Sequence, residues 1–173
     1  MSEHLILVGL PGAGKTTVGR LLAAEWGRPF LDFDEEIERR TGLSVSRLFA
    51  ERGESGFRQL ERELTEELCT APDHVLAPGG GWMTVPGLSA LLRPPSTVVY
   101  LCVSPEEALR RLGSAVSTRP LLSGPSPLDE MRRLYALRHS IYAGADVVLN
   151  VERNDTQGVM KLLRNLASPR GPA

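Results

Sequence analysis

Gly9-Leu10-Pro11-Gly12-Ala13-Gly14-Lys15-Thr16 fits the pattern G-x-x-x-x-G-K-[ST]. Residues of these types at this spacing form a cradle for phosphate. The glycines let the backbone curl until successive N–H groups, those of Gly12, Ala13 and Gly14 among them, converge on one anion. A helix beginning there adds the positive end of its dipole. Lys15 supplies an ammonium to the β- and γ-phosphates, Thr16 a hydroxyl for Mg²⁺, and Thr17 extends the same site. Only Lys15 and Lys161 among the 20 basic residues are lysines. In a chain that otherwise uses Arg, a lysine retained at this point supports a demand for an ammonium. The motif predicts a bound nucleoside triphosphate and leaves the phosphate acceptor open.

Asp32-Phe33-Asp34 is the next group able to do chemistry. At the end of a strand, residues two apart share a face, so both carboxylates could point into one crevice. Asp32 would then hold Mg²⁺ through a water, and Asp34 would orient a substrate hydroxyl. The competing reading is an acidic helix start, in which Asp34-Glu35-Glu36 complements the dipole.

These residues need a frame. Leu5-Ile6-Leu7-Val8 is an apolar run of strand length, and Val18, Leu21, Leu22 and Trp26 recur at helical spacing after the glycines. Further strands are expected over 29–33, 74–77, 97–103 and 146–151. Helices are expected over 35–40, 45–52, 58–69 and 156–166, and from Ser104-Pro105-Glu106-Glu107, which has a capping-box-like start with proline at its first position. A break at Gly53-Glu54-Ser55-Gly56 separates the two middle helices. Alternating strands and helices predict a parallel sheet between helical layers. Gly113 to Pro127, rich in Gly, Pro and Ser, reads as a long mobile loop.

Composition narrows the function classes. At 173 residues and 42% apolar content, one domain can bury about 70% of its unfolded surface without a structural metal or disulfides. A net charge of -1 argues against a nucleic-acid or polybasic membrane partner. Neither apolar run is long enough to cross a bilayer, and nothing before Leu5 looks like a secretion leader. Cys69 and Cys102 stand alone, as expected of reduced, buried thiols in a cytoplasmic protein. The expected layout is one domain over 1–167, a lid over about 112–127, and a flexible tail over 168–173. A monomer is the default expectation.

Further motifs follow in order: Gly53-Glu54-Ser55-Gly56-Phe57-Arg58-Gln59-Leu60-Glu61, Gly79-Gly80-Gly81, Arg119-Pro120-Leu121-Leu122, and Arg138 with Tyr142. Together with the phosphate loop and Asp32/Asp34, over about residues 5–155, they resemble the shikimate kinases. The resemblance implies a three-layer α/β/α sandwich of the P-loop kinase type, with a five-stranded parallel sheet and a mobile lid. It also implies ATP, Mg²⁺ and shikimate, with shikimate 3-phosphate and ADP as products. Arg58 and Arg138 would grip the acceptor carboxylate, a task suited to planar guanidinium groups. Asp34 and the Gly79–Gly81 turn would take its hydroxyls, Phe49 and Phe57 would wall its ring, and Glu61 would hold Arg58. Arg119 would close over the phosphates, leaving Lys15, Asp34 and Arg119 as the catalytic set. Arg111 would stack on adenine, with Arg110 equally placed to do so.

One departure stands out. The family continues past its three glycines with a small residue, whereas this chain has Trp82-Met83. The indole either packs outward or narrows the acceptor pocket. Other acceptors on the same frame are gluconate or a nucleoside monophosphate. A catalytically silent nucleotide-binding module would be expected to have lost Asp32, Asp34 or Arg119, and all three are present.

Overall fold

The computed structural model describes residues 2–166, so the tail at 168–173 lies outside the described residues. Five strands, β1 (Leu5–Val8), β2 (Phe30–Asp32), β3 (Val75–Ala77), β4 (Thr97–Cys102) and β5 (Val147–Asn150), form one sheet in the order β2-β3-β1-β4-β5. Every pairing is parallel, as the alternation with helices requires. Leu5 is in register with Val75 on one side and Thr97 on the other. All four residues of β1 are buried regardless of which face they point to, so helices cover both faces of the sheet.

The helices are α1 (Lys15–Trp26), α2 (Phe33–Thr41), α3 (Val45–Leu68), α4 (Pro105–Leu112), α5 (Pro127–Tyr142) and α6 (Thr156–Leu166). Helix α1 packs with α6, and α4 with α5. Local chemistry sets their ends. Ser104 accepts a bond from the Glu107 N–H and Pro105 occupies the first turn of α4, as the sequence predicts. Ser44 caps α3 in the same way.

Three expectations need correction. The four-residue break after Arg52 is a single-residue kink: only Gly53 leaves helical geometry, and Glu54, Ser55 and Gly56 belong to the second limb of α3. The segment after Gly113 is wound into short 3₁₀ turns at Gly113–Thr118 and Pro120–Leu122, with Leu122 buried. Helix α5, absent from the sequence reading, follows it. Cys69 and Cys102 are free thiols, half-buried rather than fully buried.

Parallel strands place all their carboxyl ends on one edge. The phosphate loop follows β1, Asp32 ends β2, the glycine turn follows β3, and the segment 152–155 follows β5.

Candidate active site

A cleft of about 1290 Å³ opens on that edge. Its wall includes the loop Pro11–Thr17, Asp32, Asp34, Gly79, Gly80, Arg110, Arg111 and Arg119. Sequence reasoning missed the strip Arg153-Asn154-Asp155 on the same wall. Its one available signal was position, since a segment leaving the carboxyl end of a parallel strand lies where ligands bind.

Gly12 has φ +85°, a backbone region that other residues rarely adopt, and a Cβ there would collide with the Ala108 carbonyl of α4. The tight loop therefore depends on glycine. Lys15 turns back over it, its Nζ donating to the carbonyls of Gly9 (2.9 Å) and Leu10 (3.0 Å). Burial pulls the Lys15 ammonium down to about 8, Arg119 adds to the shift, and Asp34 and Asp32 oppose it.

Thr16 Oγ1 donates to Asp32 Oδ2 at 2.6 Å. A hydroxyl and a carboxylate this close, beside a phosphate loop, are hard oxygen donors of the kind Mg²⁺ takes, so the residues fit that ion. Asp32 also caps α2 by accepting from the Glu35 N–H at 3.2 Å. The strand-face account of Asp32 and Asp34 is therefore wrong. Strand β2 ends at Asp32, and Asp34 sits in the first turn of α2, so the acidic helix start is correct. Both carboxylates still reach the cleft, brought there by a strand end and a helix start. Burial raises the pKa of Asp34 and the nearby Asp32 charge raises it further, against Arg119 and Lys15.

Arg119 reaches from the turns after α4 to Asp34, with Nη1 3.0 Å from Oδ2, while its Nε is buried without a partner among the described residues. Arg111 is held by Glu107 (2.7 Å) and by the Val151 carbonyl (2.9 Å). Arg110 pairs with Glu107 as well, at 2.6 Å, and projects more into solvent.

The residues expected to hold the acceptor converge on the glycine turn. A Cβ on Gly79 would lie 2.6 Å from Glu61 Oε1, one on Gly80 2.8 Å from Arg138 Nη1, and one on Gly81 inside the Arg58 guanidinium. Arg58 and Arg138, with Gly81, are thus packed against the turn and are not on the wall of the large cleft. Arg58 Nη1 binds Glu61 Oε2 at 2.6 Å, as the family pattern implied, and Nη2 binds Glu54 at 2.8 Å. Glu61 is fully buried and its Oε1 has no hydrogen-bond partner among the described residues. Burial pushes this carboxyl up to about 7, with Arg58 opposing. Tyr142, the buried last residue of α5, donates its hydroxyl to the Gly80 carbonyl. Phe57 is core, and half-buried Phe49 packs on it at 5.0 Å.

Trp82 takes neither of the two expected routes. Its indole is fully buried in the core, edge-on to Phe33 at 6.3 Å, and donates to Thr65 Oγ1 at 2.9 Å.

The family model for shikimate kinase matches residues 11–167. A shikimate kinase of Paracidovorax citrulli is 46% identical over 170 residues, covering 96% of this chain and 90% of the relative. A solved shikimate kinase from Acinetobacter baumannii, in complex with shikimate, superposes with a TM-score of 0.90 at 36% identity, covering 99% of this chain and 97% of that one. A gluconokinase from Sinorhizobium meliloti shares the fold alone, at a TM-score of 0.59 and 16% identity over 96% of this chain and 94% of that one. A phosphate loop and an arginine-backed glycine turn on one sheet edge, together with these likenesses over nearly the whole chain, show that it belongs to the shikimate kinase family.

Proposed function

We propose that this chain transfers the terminal phosphoryl group of ATP to the 3-hydroxyl of shikimate, releasing ADP. One observation supports this acceptor above the others: Asp34, Glu61, Arg138 and Arg58 crowd against the side-chain-free turn Gly79–Gly81, whose first two glycines line the same cleft as Lys15. Two guanidinium groups beside a side-chain-free turn suit a small carboxylate bearing vicinal hydroxyls. A nucleoside acceptor would need room for a base and a phosphate.

In this reading the loop amides and Lys15 hold the β- and γ-phosphates, and Thr16 with Asp32 holds Mg²⁺, which offsets their charge. Arg58 and Arg138 fix the acceptor so that its hydroxyl lies in line with the γ-phosphorus. Asp34, its pKa raised, accepts the hydroxyl proton as the new O–P bond forms and the bond to the ADP oxygen breaks. The acceptor hydroxyl takes the place of Arg119 on Asp34, freeing that guanidinium for the transferring group. Segment 112–127 is then the lid that excludes water. Arg111, already fixed by Glu107 and Val151, offers a flat face to the adenine.

A coupled ADP-release assay with shikimate, quinate, gluconate and AMP tests the acceptor. Shikimate should raise ADP release well above the rate without acceptor, and the other three should not. Release no faster with shikimate than without it would remove this assignment.

A further inference from the structure

Side chains crowd the Gly79–Gly81 turn. Glu61 and Arg58 lie so close to it that a single methyl group on Gly79 or Gly81 would clash. The position of a turn packed this tightly depends on its distance from α3, and a displacement of about 1 Å is enough to spoil substrate alignment.

We propose that Trp82 is a positioning residue for the acceptor, its indole strapping the glycine turn to the segment of α3 that carries Glu61. This rests on the reading that the turn and Arg58 receive the acceptor. The strap is continuous. The Trp82 indole N–H donates to Thr65 Oγ1 at 2.9 Å, and that hydroxyl donates in turn to the Glu61 carbonyl at 2.6 Å. Thr65 and Trp82 are both fully buried, so neither bond competes with water. At its other end Trp82 is bound to the turn itself, its backbone N–H donating to the Gly79 carbonyl at 3.0 Å. Thr84 closes the same loop by donating from its N–H (3.0 Å) and its hydroxyl (2.6 Å) to the Gly81 carbonyl. The ring also rests edge-on against Phe33, the residue before Asp34. Trp82 thus links three parts that must agree in position: the glycine turn through its backbone N–H, the turn of α3 that carries Glu61 through Thr65, and the start of α2 through Phe33. A small residue at this place, as the family pattern has, would keep the backbone bond but could make neither the bond to Thr65 nor the contact with Phe33.

Thr65→Val keeps the shape and removes the acceptor hydroxyl, and Trp82→Phe removes the donor. In each, backbone amides over residues 79–84 should exchange hydrogen faster. The KM for shikimate should rise roughly three- to tenfold, while kcat and the KM for ATP stay within about twofold. Thr65→Ser, which keeps the hydroxyl, should match wild type, and the double variant should be no worse than the weaker single one. Amide exchange over 79–84 that is unchanged in both single variants overturns the strap, whichever acceptor the enzyme uses. So does an equal rise in both KM values, which would show general loosening of the core. If wild type releases no ADP in response to shikimate, the acceptor assignment falls separately and the exchange measurement alone decides the strap.

Discussion

Glu61 shows most sharply what one residue contributes and how little of it sequence spacing conveys. Its pairing with Arg58 could be read from the i,i+3 spacing, but that spacing on a helix surface is worth only about 0.2–0.5 kcal/mol. The structure makes it a different interaction: Glu61 is fully buried, Arg58 is 15% exposed, and the second carboxylate oxygen has no partner among the described residues. Depth in the core is a tertiary property, so no local pattern could disclose it. The same holds for Trp82, whose inward path depends on a hydroxyl seventeen residues earlier. Burial pushes the Glu61 carboxyl up to about 7 against the pull of Arg58, with Asp34 adding to the rise and Arg138 opposing it. Above that pH the carboxylate anchors the guanidinium. Below it the added proton weakens the anchor. The KM for shikimate should therefore climb as pH is lowered from about 8 to about 6. Glu61→Gln, neutral throughout, should begin with a KM raised roughly tenfold and lose most of that pH dependence. Measuring both KM values over the pH series separates this from titration of Asp34 and Lys15, which persist in the variant. A Glu61→Gln profile parallel to wild type would assign the dependence to those groups.

Elements were legible where their patterns were pure. The runs at Leu5–Val8 and Val98–Leu101 are buried at every position because both faces of the sheet are covered. Helix α5 was missed for the opposite reason. Its buried positions, Met131, Leu134, Arg138 and Tyr142, do form a stripe, but one member is an arginine kept inward, and the exposed Leu137 and Ile141 blur the outer face. An arginine in the buried stripe hid the helix that carries it. The kink in α3 teaches something different. Four residues of turn-like composition promised a loop, yet the helix resumes after one, because Gly53 alone takes φ 67° and ψ 179°. That combination is open essentially to glycine only. A Cβ at Gly53 would meet no atom within 4 Å, so Gly53→Ala adds torsional strain and no clash. It should lower the unfolding free energy by about 1–3 kcal/mol, read from the denaturant midpoint at unchanged m-value. Because the kink sets the angle between the limbs bearing Phe49 and Arg58, the KM for shikimate should rise as well. A wild-type midpoint would mean that α3 bends without help from this torsion.

At the scale of the molecule, the sheet has a working edge and a structural edge, and the latter is tied together by one imidazole. His4 lies just before β1, fully buried, with Nδ1 accepting from the His74 N–H at 3.0 Å and Nε2 3.0 Å from the Leu68 carbonyl, to which it donates. Its backbone N–H reaches Ser96 Oγ at 3.1 Å and its carbonyl accepts from Thr97 at 2.9 Å. The end of α3 and the start of β3 thus meet on the ring, and β4 joins them through the backbone of the same residue; the ring must stay neutral, since a second proton would sit on the nitrogen facing the His74 N–H. Burial lowers the His4 pKa below 6.5, the nearby His74 lowers it further, and the contact with Leu68 opposes the fall. The sign follows directly. As pH drops through 6.5 the unfolded chain binds a proton that the folded chain refuses, so the His4 contribution is complete above that pH and is lost on acidification. Glu61 has the opposite slope. Its raised pKa lets the folded chain take a proton first, adding stability as pH falls from about 7 toward 4.5. The expected profile combines opposing contributions from two buried groups at opposite edges of the sheet. His4→Gln keeps a donor and an acceptor but cannot charge. Relative to wild type it should therefore gain stability steadily as pH is lowered from about 7.5 to about 5.5, followed by urea midpoints at constant ionic strength. If the two midpoint curves run parallel across that range, the acid sensitivity of the fold resides elsewhere and His4 serves only as packing.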